Sequence, residues 1–140
     1  MIRAFLDTNV VVDYLVKRER FYYDAAIIIS LAKHKKIKIY SAAMSFATSS
    51  YLMEKYYHND AAAIKLAISN FIKYCNITVV DRSTIEDSIT SAFDDFEDGM
   101  QYSCALDCKA DYIVTRNTTD FEESSIQVVE PSDFLDILIK

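Results

Sequence analysis

Short strand-like runs alternate with helical stretches along this whole chain, and that alternation permits few folds. Ile2-Arg3-Ala4-Phe5-Leu6, Ile37-Lys38-Ile39-Tyr40, Ile77-Thr78-Val79-Val80, Asp111-Tyr112-Ile113-Val114-Thr115 and Gln127-Val128-Val129 have the length and residue types of strands. Val10 to Val16 reads as the first helix, with Thr8 or Asn9 as its cap. Phe21 to Lys35 carries a stripe of Ala25, Ile28, Ile29 and Ala32. Ala42 to Tyr57 forms a hairpin with a helix capped by Asn59 or Asp60, joined at His58-Asn59. Ser83-Thr84-Ile85-Glu86 has the form of a capping box, and its helix reaches about Phe93. A further helix is expected from Asp98 to Lys109. Pro131 opens the last one, Ser132 to Lys140, at the first-turn position that proline tolerates. Such alternation predicts a parallel sheet with helices on both faces and right-handed crossovers. The expectation is one three-layer α/β/α domain over residues 1–140, with about five parallel strands.

Composition narrows the reading. With one glycine and one proline, the chain lacks the turn residues of an all-β protein. Its 51% hydrophobic content excludes a disordered chain. A domain of this size buries roughly 70% of its unfolded surface, so it needs no disulfide or structural metal to fold. No apolar run reaches the roughly 18 residues that span a bilayer, and no basic segment precedes an apolar one at the start. Three cysteines, an odd number, suit a reducing and cytoplasmic setting. Cys104 and Cys108 lie one helical turn apart, but neither His34 nor His58 follows at a zinc-site spacing, so buried apolar thiols are expected. The net charge of −6 opposes nucleic-acid binding in general. Local positive charge remains at Lys17, Arg18 and Arg20, and at Lys33, Lys35, Lys36 and Lys38, where helix C-termini are expected.

The carboxylates fall in a pattern. Asp7 ends the first strand, where open α/β sheets hold their ligands. It would equally serve to cap the helix that follows. Asp98, three residues after Asp95, opens a helix leading to the fourth strand, and Asp120 lies just beyond that strand. Carboxyl ends of parallel strands share one edge, so these acids can converge there. Gathered carboxylates raise one another's pKa, and a hard cation relieves that repulsion. Magnesium suits an oxygen-only site completed by waters and substrate phosphate. Such a site activates water and stabilises in-line phosphoryl displacement. The plainer reading is that all three acids merely favour helix starts.

With these blocks in place, the sequence resembles the PIN domain, a family of small metal-dependent ribonucleases that includes VapC-type toxins. The matching residues are Asp7-Thr8-Asn9 after an apolar strand, Asp95-Phe96-Glu97-Asp98 opening a helix, and Tyr112-Ile113-Val114-Thr115-Arg116-Asn117-Thr118-Thr119-Asp120-Phe121. The resemblance implies Asp7, Asp98 and Asp120 as catalytic, metal-binding acids, with Mg²⁺ or Mn²⁺ as cofactor. It makes Asn9, Asp95, Thr115 and Asn117 their polar supports. One departure stands out. The family places a glutamate early in the helix after the second strand, and here Thr48 or Ala47 occupies that place. Glu54, six residues beyond Thr48, has turned about 240° and moved about 9 Å along the helix, and substitutes poorly.

Two functions follow from the resemblance. One is a metal-dependent endoribonuclease, the toxin of a toxin–antitoxin pair, with RNA as substrate and an antitoxin as partner. The other is a weakened PIN-like module that binds RNA or protein, which the missing glutamate and the acidic charge favour. A haloacid-dehalogenase-type phosphotransferase needs an acid at Asn9, which cannot transfer a proton. A response-regulator receiver needs a lysine where Arg116 stands. RNA contacts are expected from Lys17, Arg18, Arg20 and Arg116. Tyr51, Tyr56 and Tyr57 mark the helical hairpin as the surface for a homodimer or an antitoxin.

Overall fold

The five apolar runs pair into one parallel sheet. The computed structural model describes residues 1–139. In chain order the elements are β1 (Arg3–Leu6), α1 (Thr8–Leu15), α2 (Tyr22–Lys33), β2 (Lys38–Ala42), α3 (Ala43–Lys55), α4 (Ala61–Phe71) and β3 (Cys75–Thr78). There follow α5 (Arg82–Thr90), α6 (Phe96–Asp107), β4 (Tyr112–Val114), a 3₁₀ turn (Thr118–Phe121), β5 (Gln127–Val129) and α7 (Pro131–Ile139). The strand order is β3-β2-β1-β4-β5, with every pair parallel. From β1 the chain builds outward through β2 and β3, then returns to the other side for β4 and β5. The topological switch point, where open parallel sheets open a crevice, therefore lies between the carboxyl ends of β1 and β4.

Alternation along β1 divides the core. Ala4 and Leu6 join Val10, Ile28, Phe71 and Phe134 on one face. Phe5, between them, joins Ala42, Cys104, Ile113 and Phe121 on the other. All three residues are fully buried. Helices thus cover both faces, as the three-layer expectation requires. Cys104 packs in the second cluster, and the Cys75 thiol donates to Ser41 Oγ at 3.4 Å inside the protein. Cys75 and Cys104 are buried, as expected, and Cys108 is partly buried. Among the described residues no helix is long and apolar enough to cross a membrane.

Several boundaries differ from the sequence-based expectation. β2 continues through Ser41 to Ala42, because β3 offers partners for both in Ile77 and Thr78. β3 itself starts two residues early, at Cys75. It is an edge strand with Cys75 and Thr78 turned inward, which leaves Val79 71% exposed and beyond the ladder. The capping box of α5 is Asp81 with Thr84, not Ser83 with Glu86: Asp81 accepts from the Thr84 amide and Thr84 Oγ1 accepts from the Asp81 amide. Glu86 instead pairs with Arg82 at 2.6 Å. Asp60 rather than Asn59 caps α4. Asp95 caps α6, which begins at Phe96 rather than Asp98.

Candidate active site at the carboxyl edge

Asp7 stands at the carboxyl end of β1, beside the switch point, and also caps the helix that follows. It is the N-cap of α1, in place of Thr8 or Asn9, and its Oδ1 accepts from the Thr8 amide at 2.7 Å. Its Oδ2 accepts from the Thr115 hydroxyl at 2.7 Å, across the switch point from β1 to the end of β4. The side chain is buried, 6% exposed. Burial pushes its carboxyl above the ordinary range, against the hydrogen bonds from Thr115, Gln101 and Thr8, and the Asp120 charge adds to the rise. Thr115 is held in turn: its Oγ1 accepts from Asn9 Nδ2 at 3.3 Å and from the Asn117 amide at 3.1 Å. Asn9, Thr115 and Asn117 thus meet behind Asp7, Asn117 through its backbone.

Gln101 and Ser45 complete the frame, and local pattern gave no sign of either. Gln101 Oε1 accepts from the Thr8 amide at 3.1 Å and lies 3.4 Å from its hydroxyl. Gln101 stands three residues after Asp98, on the same side of α6. Its bond to Thr8 therefore docks the N-terminal half of α6 against the start of α1 and carries Asp98 toward Asp7. Asp95 Oδ1 accepts from the Asp98 amide at 2.9 Å. Burial, then the charges of Asp95, Asp7, Asp120 and Glu97, push the Asp98 carboxyl up to about 7. Glu97, a residue given no part by the sequence reading, is raised by burial and then by Asp7 and Asp95. Asp120 is exposed on the 3₁₀ turn, which buried Phe121 anchors to the core.

The acids share a field without forming a closed cage. Among the described residues no three His, Cys, Asp or Glu side chains are grouped tightly enough to hold an ion as they stand. The donor set nevertheless suits a hard divalent cation: the facing groups are carboxylates, and the repulsion that lifts Asp98 is what a cation relieves.

On α3, Ser45 Oγ lies 2.7 Å from Thr8 Oγ1. Thr48, three residues on, shares that side of the helix and is half-buried, while Glu54 is exposed. Ser49, also buried, has no hydrogen-bond partner for its hydroxyl.

The basic residues are arranged differently from the expectation. Arg116 grips buried Asp13 with Nε at 2.6 Å and Nη2 at 3.2 Å, and its guanidinium lies 3.9 Å from the Phe21 ring centroid. Arg18 reaches the same carboxylate at 3.1 Å. Two of the four expected RNA contacts are therefore engaged by the one buried Asp13 carboxylate. Lys17 (φ 54) ends α1 in the left-handed region, and it and Arg20 are exposed. Asp13 went unnoticed in the sequence because its partner is 103 residues away.

A buried carboxylate at the switch point, acids on an adjoining helix start and a clamp from the end of β4 thus meet at the carboxyl edge of the sheet. The chain belongs to the PIN domain family, whose sequence model matches residues 3–119. No curated protein matches the sequence. The fold recurs in solved structures of low identity. VapBC2 from Rickettsia felis, bound to a DNA fragment from their promoter, aligns with a TM-score of 0.65 at 18% identity, over 92% of this chain and 98% of that one. FitAcB from Neisseria gonorrhoeae gives 0.63 at 15% identity, over 92% and 98%. VapC20 from Mycobacterium tuberculosis, a Sarcin-Ricin loop cleaving toxin, gives 0.59 at 11% identity, over 79% and 86%.

Proposed function

We propose that this protein is a metal-dependent endoribonuclease of the PIN type, acting at the carboxyl edge of its sheet through Asp7, Asp98 and Asp120. The observation that carries this reading is the setting of Asp7. It is a buried carboxylate at the switch point, clamped by Thr115 and by the Thr8 amide. Asp7, Asp98 and Asp120 would hold Mg²⁺ or Mn²⁺, which when bound supplies charge neutralisation at the scissile phosphodiester and activates water. Thr115 orients Asp7. Asp95, as the cap of α6, fixes the turn from which Asp98 projects. Gln101, one turn further along α6, ties the helix to α1. Affinity for the ion without RNA should be weak, because phosphate oxygens complete the shell.

RNA as substrate is supported by family membership and by the likeness to the Sarcin-Ricin loop cleaving toxin. The likeness to VapBC2 supports service as the toxin of a toxin–antitoxin pair, with an antitoxin protein as partner. Cleavage of single-stranded RNA with Mn²⁺, by wild type, Asp7→Asn, Asp98→Asn and Asp120→Asn, tests the site. Each substitution should slow cleavage by about 100-fold or more, the effect of losing several kcal/mol of charge stabilisation. Wild-type rates from Asp7→Asn would sink the reading.

One observation favours a second reading, a weakened module that binds RNA or protein. Half-buried Thr48 or exposed Ala47 stands where the resemblance places the family's glutamate, and Glu54 faces outward. Thr48→Glu should raise cleavage most at limiting Mn²⁺, and Glu54→Gln should change nothing. A folded wild type inactive both with and without Thr48→Glu would leave the binding module as the function.

A further inference from the structure

A cluster of unpaired positive charge lies at the end of the sheet opposite the acids. A groove of about 420 Å³ opens at the amino edge, between the end of α2 and the starts of β2 and β3. Lys33, Lys35, Lys38 and Lys73 line it together with Tyr74, and no Asp or Glu does. All four lysines are exposed. Among the described residues the salt bridges are made by Arg18, Arg82 and Arg116, so none of these four ammonium groups has a carboxylate partner. Lys33 Nζ lies 5.7 Å from the Tyr74 ring centroid, and Lys73 Nζ donates to Asn70 Oδ1 at 3.3 Å. Asp111, two strands away at the same edge, is occupied by the Arg3 amide at 2.8 Å.

Four unpaired like charges around one concavity are unusual in a chain with 15 basic and 21 acidic residues. A concave wall focuses their field on whatever enters. Exposed ammonium groups on flexible stems act as point charges along a solvated phosphodiester backbone. The half-buried Tyr74 adds a ring beside them on which a base can stack. We propose that this lysine-lined groove is a second contact for single-stranded RNA, gripping the backbone of the same strand whose scissile phosphate lies at the acidic edge. The identity of the polyanion rests on the nuclease reading. The sheet's strands, at most five residues long, span only about 15 Å, so a strand of several nucleotides passes from edge to edge.

The test is fluorescence anisotropy with a labelled oligouridylate of about 20 nucleotides in EDTA, without divalent ions. It compares wild type with the quadruple variant Lys33→Gln/Lys35→Gln/Lys38→Gln/Lys73→Gln and the double variant Lys38→Gln/Lys73→Gln. The quadruple variant should lose about tenfold or more in affinity at low salt, and its slope of log K against log salt should shrink by about 3, four contacts at about 0.7 each. The double variant should show about half that change in slope. Uridine monophosphate should not displace the oligomer. An unchanged slope, absence of RNA binding by the wild type, or saturable displacement by the mononucleotide would each overturn the proposal, the last by assigning the groove to a small phosphate. Because no cleavage is measured, failure here is separate from failure of Asp7→Asn to stop cleavage.

Discussion

Burial first, and then the charges of four other carboxylates, raise the Asp98 carboxyl to about 7. An unfolded aspartate titrates near about 3.9. Between those values the folded protein holds a proton that the unfolded chain has released. Its contribution to stability is therefore present at low pH and is lost as pH rises through 7. Asp7 and Glu97, also raised, act in the same direction. In EDTA the melting temperature should fall from pH 5 to pH 8. Asp98→Asn should remove most of that fall and stabilise the protein at pH 8 by about 1–2 kcal/mol, a modest figure because the half-buried carboxylate is partly screened. A melting temperature that climbs with pH would show that the acids do not share one field. Divalent ions should reverse the trend, since they bind the deprotonated acids.

At the scale of elements, the placement of Asp98 depends on how closely α5 and α6 approach. Gly99, the chain's single glycine, is buried at that crossing. A Cβ there would lie 2.3 Å from Ser88 Oγ and 3.0 Å from Ser91 Oγ. Ser88 Oγ is not free to yield, because it donates to the Phe96 carbonyl at 2.7 Å in the first turn of α6. Gly99→Ala should thus destabilise by about 1–2 kcal/mol, overpacking outweighing the better helix propensity of alanine. The melting temperature should drop by about 3–6 °C. Adding Ser88→Ala removes the clashing oxygen and should recover part of the loss; a double variant no better than the single would disprove the contact. The close approach was not legible in the sequence, because the serines that Gly99 faces belong to the end of the preceding helix. What was legible shared one trait: it was written locally. Apolar runs gave all five strands to within about two residues, and Asp7 and Asp98 announced themselves by standing beside such a run or a helix start. Partnerships across the chain were hidden. Gln101 meets Thr8 over 93 residues, and the edge strand β3 takes its register from β2 rather than from its own most apolar residues.

The whole molecule depends on one of those hidden partnerships. Asp13 belongs to α1, beside the central strand, and Arg116 leaves β4 on the other side of the switch point. Their bidentate pair, joined by Arg18 and backed by Phe21, ties the first half of the fold to the second where the chain reverses direction. Asp13 is 1% exposed, and burial raises its carboxyl despite both arginines. A charge so placed is tolerated only while it is matched. Arg116→Ala should therefore cost about 3–5 kcal/mol, a large share of the roughly 5–15 kcal/mol that holds an ordinary domain together. The melting temperature should fall by about 10 °C or more. Arg116→Lys should give an intermediate loss, since a lysine supplies the charge but not the two-pronged geometry. Asp13→Leu combined with Arg116→Met should recover much of the stability, because an apolar pair leaves no buried charge unmatched. Thermal unfolding of the four proteins, alongside RNA anisotropy, separates the two uses of this arginine. If Arg116 were chiefly an RNA contact, Arg116→Ala would weaken binding while melting like the wild type, and the tie would be refuted.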